Sequence, residues 1–190
     1  MERVFNLRLR EIPVRQQNIV LIGFMGVGKT TIGELVAKKL YRSFIDIDQE
    51  IEKHFGMSTT DIFNVHGEKT FREFERQSIE DFCNQRLKII SIGGGAFMQQ
   101  EVRDACLKNC TVFFLDVSWD KWKDRLDILI DSRPILQSRS IDEIEALFNE
   151  RQDIYSLNHS KLTVNDRSAE EVADHIVESL KSAWDLYEPH

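Results

Sequence analysis

The 190-residue sequence has no apolar run long enough to cross a membrane; its longest apolar runs are only as long as TVFFL at 111–115. Residues 1–15 mix Arg and Glu with single apolar residues, so we expect neither a signal peptide nor a location other than the cytoplasm. The three cysteines form no CxxC pair, which argues against a disulfide framework or a zinc site. A net charge of −7 argues against a nucleic-acid or membrane partner, so positive charge for small anions must be concentrated locally.

Apolar patterning predicts strands that alternate with helices. A buried strand at 18–22 is followed by a helix at 29–40 whose apolar residues share one face. This alternation is typical of an α/β fold, a parallel sheet covered by helices on both faces. We predict one domain over 17–190 with a peripheral extension at 1–16. The other predicted elements are strands near 44–47, 87–92, 111–117 and 162–164, helical segments within 48–85 with turns at Gly56 and Gly67, and helices near 99–108, 119–127, 141–156 and 169–186.

A phosphate-binding loop is predicted where the first strand meets the first helix. The sequence GFMGVGKT at 23–30 fits the pattern GxxxxGK[ST] and has the strand and helix that this motif requires. Its glycines let backbone N–H groups approach phosphate oxygens, and the helix N-terminus adds a positive dipole end. Lys29 is expected to reach the β- and γ-phosphates of a nucleotide, and the Thr30 hydroxyl to bind Mg²⁺. The motif indicates a nucleoside triphosphate and leaves the acceptor open.

Two aspartates, Asp46 and Asp48, end the second predicted strand. Ligands of open parallel sheets bind at the carboxyl ends of the strands, and alternation would put both side chains on one face while the strand persists. One carboxylate could then hold Mg²⁺ through water, and the other could orient or deprotonate a substrate hydroxyl. The alternative is that Asp48 is the N-cap of the next helix.

Two further features suggest a second anion site, although each has an ordinary structural explanation. Arg72 lies on a charged helix, where it could simply pair with Glu68 or Glu75 on a solvated face. The triplet Gly93, Gly94 and Gly95 ends the third strand, where glycine would let a ligand approach the backbone closely. A plain flexible turn is the alternative for the triplet.

Two arginines later in the chain complete the candidate set. Arg133 precedes Pro134 in a predicted loop at 128–139, and such a mobile loop could bring positive charge to the transferring phosphoryl group. Arg151 has no acidic residue three or four positions away on its helix, so a helix-face ion pair does not explain it. A solvated arginine is the alternative for Arg151.

Taken in order, these pieces resemble the shikimate kinase family, a branch of the P-loop kinases similar to nucleoside-monophosphate kinases. The resemblance covers about 17–180 and implies a three-layer P-loop kinase fold with a five-stranded parallel sheet of order 2-3-1-4-5. It implies that ATP phosphorylates the 3-hydroxyl of shikimate, a step toward chorismate and aromatic amino acids, with Mg²⁺ as cofactor. We also expect a monomer. The matching pieces are residues 23–31, 46–48, 71–72, 93–95, 133–134 and 151–155.

The resemblance also implies roles for individual residues. Asp48 would bind the ring hydroxyls and serve as the candidate base. Asp46 would contact through water the Mg²⁺ ion that the Thr30 hydroxyl binds. Arg72 and Arg151 would hold the shikimate carboxylate, and the backbone of Gly93–Gly95 would pack under its ring. Arg72 belongs to a substrate-binding helical part at about 48–85. Arg133 would close from a lid at 128–139. The expected nucleotide-binding residues are Gly26, Val27, Gly28, Lys29, Thr30, Thr31 and Arg125, the last as the nearest candidate for stacking on adenine.

The sequence departs from the family pattern in two places. The stretch LDILIDS at 126–132 is apolar and acidic where family lids carry basic residues, and no proline stands between Arg151 and Tyr155. Two other functions stay open. One is a kinase of the same fold for another small acceptor, such as gluconate or a nucleotide. The other is a nucleotide-binding regulatory module without turnover.

Overall fold

The centre of the molecule is a parallel sheet. The computed structural model describes residues 13–126, 136 and 139–187. The sheet has five strands in the order β2-β3-β1-β4-β5, and every neighbouring pair is parallel. This confirms the predicted α/β fold and strand order. The strands are β1 (Asn18–Ile22), β2 (Ser43–Asp46), β3 (Lys88–Ser91), β4 (Cys110–Asp116) and β5 (Ser160–Thr163).

Helices cover the two faces of the sheet. The described α-helices are α1 (Lys29–Leu40), α2 (Ile47–Phe55), α3 (Thr59–Cys83), α4 (Gln100–Asn109), α5 (Trp119–Lys123), α6 (Ile141–Tyr155) and α7 (Ala169–Tyr187). Helix α1 packs against α7, and α3 packs against α4. In the described part of the chain, no helix is long and apolar enough to cross a membrane.

The strand β1 forms the middle of the core because both of its faces are covered. All of its residues are buried, and β3 and β4 pair with it on either side. A continuous apolar strand suits this central position, since side chains on both faces pack against helices. The phosphate loop follows β1 directly, so the fully buried central strand supports it.

Two element boundaries differ from the prediction, and one turn agrees with it. Strand β2 ends at Asp46, and Asp46 caps helix α2 with its own carboxylate, accepting from the backbone N–H groups of Asp48 and Gln49. The prediction that Asp48 is the N-cap was therefore wrong. Strand alternation does not relate Asp46 to Asp48 either, because β2 ends at Asp46. The turn predicted at Gly67 is present, because Gly67 has a non-helical backbone, with a φ of 80° and a ψ of 159°, and kinks α3. Helix α5 ends at Lys123, earlier than predicted.

Candidate active site

The phosphate loop is held against the sheet by close packing. A Cβ at Gly23 would lie 2.6 Å from the carbonyl oxygen of Leu115 in β4, so only glycine lets the loop leave β1 this close to its neighbour. Gly28 adopts the left-handed conformation with a φ of 97° and is the N-cap residue of α1. The N-terminal N–H groups of a twelve-residue helix thus face the loop, as an anion site requires.

Side chains from distant segments secure this loop. The buried Trp122 indole donates to the carbonyl oxygen of Met25 at 2.6 Å, and its ring packs edge-on against Phe24. Arg125 donates to the carbonyl oxygen of Gly26 at 3.1 Å. Arg125 therefore lies at the nucleotide side of the molecule; its stacking on adenine stays a prediction. Sequence reasoning missed Trp122, because nothing in its local pattern shows that its N–H faces the loop.

The polar side chains predicted for nucleotide and metal binding lie together at the carboxyl ends of β1 and β2. The Lys29 ammonium donates to the carbonyl oxygens of Gly23 and Phe24, at 2.8 and 3.1 Å. The Thr30 hydroxyl donates to a carboxylate oxygen of Asp46 at 2.8 Å. A hydroxyl and a carboxylate are the hard oxygen donors that Mg²⁺ prefers, so this pair fits the predicted metal site.

Two cavities open side by side at this edge of the sheet. The smaller, about 220 Å³, is lined by the phosphate loop with Lys29, Thr30 and Asp46, and we call it the phosphate cavity. The larger, about 460 Å³, is lined by residues of α2, α3, the glycine triplet and Arg151, and we call it the acceptor cavity. Asp48, Gly93 and Gly94 border both cavities. A group at Asp48 can therefore act between ligands in the two cavities.

The glycine triplet leaves room for charged side chains. A Cβ at Gly93 would lie 3.0 Å from carboxylate oxygens of both Asp48 and Glu75, and one at Gly95 would lie 2.9 Å from Nη2 of Arg72. In the middle, a Cβ at Gly94 would lie 3.3 Å from Nη1 of Arg151. None of these glycines has a positive φ. The triplet is explained by close approach, and the flexible-turn interpretation is not needed.

Arg72 pairs with both acids that the sequence suggested, and one of them, Glu75, is buried and not solvated. Its Nη1 lies 2.7 Å from Oε2 of Glu75, and its Nε lies 3.5 Å from Oε1 of Glu68. The Glu75 side chain is only 1% exposed, and burial raises the pKa of Glu75 to about 7, although Arg72 lowers it. The nearby Asp48 carboxylate raises this pKa further. Sequence reasoning treated Glu75 as a surface partner and missed its place in the site.

Arg151 is buried, so the solvated-arginine interpretation was wrong. It is 6% exposed and lies 5.5 Å above the ring of Phe24. Within the described part of the chain, its buried Nε and Nη1 groups have no hydrogen-bond partner. Burial lowers the pKa of Arg151, and the neighbouring Tyr155 offsets part of this effect. A buried guanidinium with unmatched N–H groups beside a cavity indicates an anionic ligand.

Tyr155 holds the backbone of Gly94, which lines the acceptor cavity. Its hydroxyl donates to the carbonyl oxygen of Gly94, and burial raises the pKa of Tyr155 to about 12. Arg133 and Pro134 lie outside the described residues, so the lid role of Arg133 stays a prediction. Of the predicted lid at 128–139, Leu136 is buried and Arg139 borders the acceptor cavity.

A P-loop at the end of β1, a parallel sheet of this order and an adjoining acceptor cavity define a small P-loop kinase. The family model described as shikimate kinase matches residues 25–181. The chain therefore belongs to the shikimate kinase family, which confirms the resemblance and makes the chain a phosphotransferase.

Curated relatives support the same family over nearly the whole chain. A shikimate kinase of Bacillus subtilis (strain 168) is 61% identical over 181 residues, 95% of this chain and 97% of the relative. One of Oceanobacillus iheyensis is 57% identical over 179 residues, 94% of this chain and 98% of the relative.

Solved structures agree with the family assignment. A shikimate kinase from Acinetobacter baumannii in complex with shikimate has a TM-score of 0.81 at 29% identity, covering 88% of this chain and 94% of that one. A gluconokinase from Sinorhizobium meliloti has a TM-score of 0.53 at 15% identity, covering 95% of this chain and all of that one, and shares the fold alone.

Proposed function

We propose that this chain transfers the γ-phosphoryl group of ATP to the 3-hydroxyl of shikimate. The observation that carries the proposal is the pair Arg72 and Arg151 in a cavity that meets the phosphate cavity at Asp48. Shikimate is a small ring acid with several hydroxyl groups. It needs cationic groups at one end and a carboxylate at the other, and the acceptor cavity offers both.

The carboxylate of shikimate would bind between Arg72 and Arg151. Both guanidinium groups lie against the glycine triplet, where the shikimate ring can approach the backbone. The unmatched N–H groups of Arg151 would then gain the partner they lack among the described residues. Charge-assisted hydrogen bonds of this kind are worth about 1.5–3 kcal/mol each.

The ring hydroxyls would face Asp48, at the boundary with the phosphate cavity. Asp48 would orient the reacting hydroxyl and accept its proton as the oxygen attacks the γ-phosphorus. Lys29 and the loop N–H groups would hold the phosphates of ATP. The transition state of such transfers is loose, so positioning and charge neutralisation contribute more than a strong base.

Mg²⁺ would be held by the Thr30 hydroxyl, with Asp46 contacting it through water, since these oxygen donors lie 2.8 Å apart. The bound ion would neutralise charge on the β- and γ-phosphates. Asp46 also caps α2, so the position of its carboxylate is set by the fold. We further propose that the enzyme is a monomer, because one chain supplies the residues of both cavities, and that it is located in the cytoplasm.

Formation of ADP with different acceptors tests the function. Purified protein with MgATP is expected to form ADP quickly with shikimate, and slowly with gluconate, with AMP or without acceptor. The Lys29→Ala variant should be folded and inactive, which excludes a contaminating kinase. Equal rates with and without shikimate would contradict the proposal, and a rate dependent only on gluconate or AMP would identify a different kinase. Light scattering at the mass of one chain would support the monomer, and cell fractionation the cytoplasmic location.

A further inference from the structure

A neutral side chain stands behind the acceptor cavity in contact with its buried acid. Gln99 lies between the short 3₁₀ turn Ala96–Met98 and helix α4. Its amide Nε2 donates to Oε2 of Glu75 at 2.9 Å. The same Oε2 accepts from Nη1 of Arg72 at 2.7 Å. One carboxylate oxygen is therefore shared between a substrate-binding candidate and Gln99.

We propose that Gln99 is a positioning residue of the acceptor site, which acts through Glu75 to hold the Arg72 guanidinium over Gly95. This inference rests on the proposed function, since it assigns Arg72 to the shikimate carboxylate. It adds a contact from a segment that none of the sequence motifs includes.

The geometry of Arg72 explains why this support is needed. Arg72 projects from α3 and is 27% exposed, so its helix alone does not fix its long side chain. Glu75 is one turn further along the same helix and holds one end of the guanidinium. Glu75 lies on the same helix as Arg72, and Gln99 donates a hydrogen bond to it from outside α3. Through Glu75, Gln99 thereby connects the turn after the glycine triplet to Arg72, which lies against Gly95.

The backbone at Gln99 has its own support. Its N–H donates to the carbonyl oxygen of Ala96, and its carbonyl accepts from the N–H of Arg103, both at 3.1 Å. Gln99 is the N-cap residue of α4, but its side chain makes no capping hydrogen bond. Replacing the side chain therefore removes the contact with Glu75 and leaves the helix start unchanged.

The charges around Glu75 determine what the amide does. Arg72 on α3 and Arg151 on α6 favour the ionised carboxylate, whereas burial and Asp48 on α2 disfavour it. The amide N–H that Gln99 donates to the carboxylate also favours the ionised form, and it adds no net charge. Gln99 thus favours the ionised form that pairs with Arg72.

Steady-state kinetics of Gln99→Leu test the proposal. The variant should raise the KM for shikimate by about tenfold, the range for a lost hydrogen bond to a charged group, and leave kcat and the KM for ATP within about twofold. Gln100→Leu is the matched control, because Gln100 is the exposed neighbour at the start of α4. It should behave as wild type. An unchanged KM for shikimate in Gln99→Leu, with an active wild type, would overturn the inference but not the proposed function.

A pH comparison separates positioning from a merely structural role. In Gln99→Glu, two carboxylates would face each other when ionised, but one shared proton would restore a donor to Glu75. The KM for shikimate should therefore be higher in Gln99→Glu than in Gln99→Leu at about pH 8.5, and lower at about pH 6. The same order of the two variants at both pH values would overturn the inference, even where Gln99→Leu folds poorly. A wild type that does not use shikimate at all would instead refute the proposed function.

Discussion

Replacing Arg151 with methionine should raise the free energy of unfolding and at the same time weaken the binding of shikimate. Arg151 is 6% exposed, and its Nε and Nη1 groups have no hydrogen-bond partner among the described residues. Each buried polar group left unmatched costs about 1–3 kcal/mol. Methionine has a similar length and no such groups, so Arg151→Met removes two penalties.

The expected gain is smaller than the sum of these penalties. The guanidinium lies 5.5 Å above the ring of Phe24, and a buried cation–π contact contributes about 2 kcal/mol. Tyr155 also interacts favourably with the charged form of Arg151. We therefore expect a net rise of about 1–3 kcal/mol in the free energy of unfolding. For a chain of this size, that corresponds to a rise in Tm of roughly 2–12 °C.

Arg72→Met is the matched control and should have the opposite effect on stability. It removes the ion-pair partner of Glu75, which is only 1% exposed. We expect a loss of about 1–3 kcal/mol, because the buried Glu75 carboxyl group loses its charged donor and, among the described residues, keeps only the neutral amide of Gln99. Both variants should weaken shikimate binding by about tenfold or more, and neither should weaken ATP binding.

The assays are urea unfolding without ligands and calorimetric titration with shikimate. Unfolding reports the free energy of the fold, and titration reports the site. The reasoning is refuted if Arg151→Met is less stable than wild type, which would mean that the guanidinium is already satisfied. It is also refuted if Arg151→Met binds shikimate as tightly as wild type.

Three further predictions concern other residues that line or adjoin the two cavities. Burial raises the pKa of Glu75 from 4.5 to about 7, so between these pH values the folded state binds a proton that the unfolded state does not, and this group lowers stability as pH rises from about 5 to 8. Over that range the free energy of unfolding of Glu75→Gln should increase by about 3 kcal/mol relative to wild type, and parallel pH profiles would be contrary evidence. Gly95→Ala should raise the KM for shikimate more than the KM for ATP, because its Cβ would lie 2.9 Å from Nη2 of Arg72; an equal rise in both constants in steady-state kinetics would argue against this placement. Asp48→Asn should lower kcat by about 10²–10⁴-fold, whereas Asp46→Asn should raise the Mg²⁺ concentration needed for half-maximal rate; rescue of the Asp48 variant by excess Mg²⁺, and not of the Asp46 variant, would reverse the two assignments.

Much of the fold could be predicted because its signals are local. The phosphate loop needs a strand, a set of glycines and a helix within a few residues, and the structure has the first strand and first helix at the predicted bounds. The boundary at Asp46 could not be predicted as well. Asp46 and Asp48 are both good helix-capping residues, and the choice between them depends on where β2 loses its partner β3.

The site was harder to predict because it depends on burial. The spacing of Arg72 and Glu75 is the same on a solvated helix as on a buried one, so the sequence could not show that Glu75 is enclosed. The absence of acidic neighbours around Arg151 excluded a helix-face pair, but it could not show whether water or the core surrounds that side chain. The contact between Gln99 and Glu75 joins residues 24 positions apart, and no local pattern predicts it.

The most direct test of the acceptor site compares shikimate with its uncharged methyl ester as phosphoryl acceptors. Wild type should prefer shikimate in kcat/KM by about tenfold or more for each arginine contact, because the ester lacks the negative charge that Arg72 and Arg151 are proposed to bind. The double variant Arg72→Met, Arg151→Met should lose most of that preference while still using the ester at a measurable rate. Equal use of the acid and the ester by wild type would contradict the proposed site.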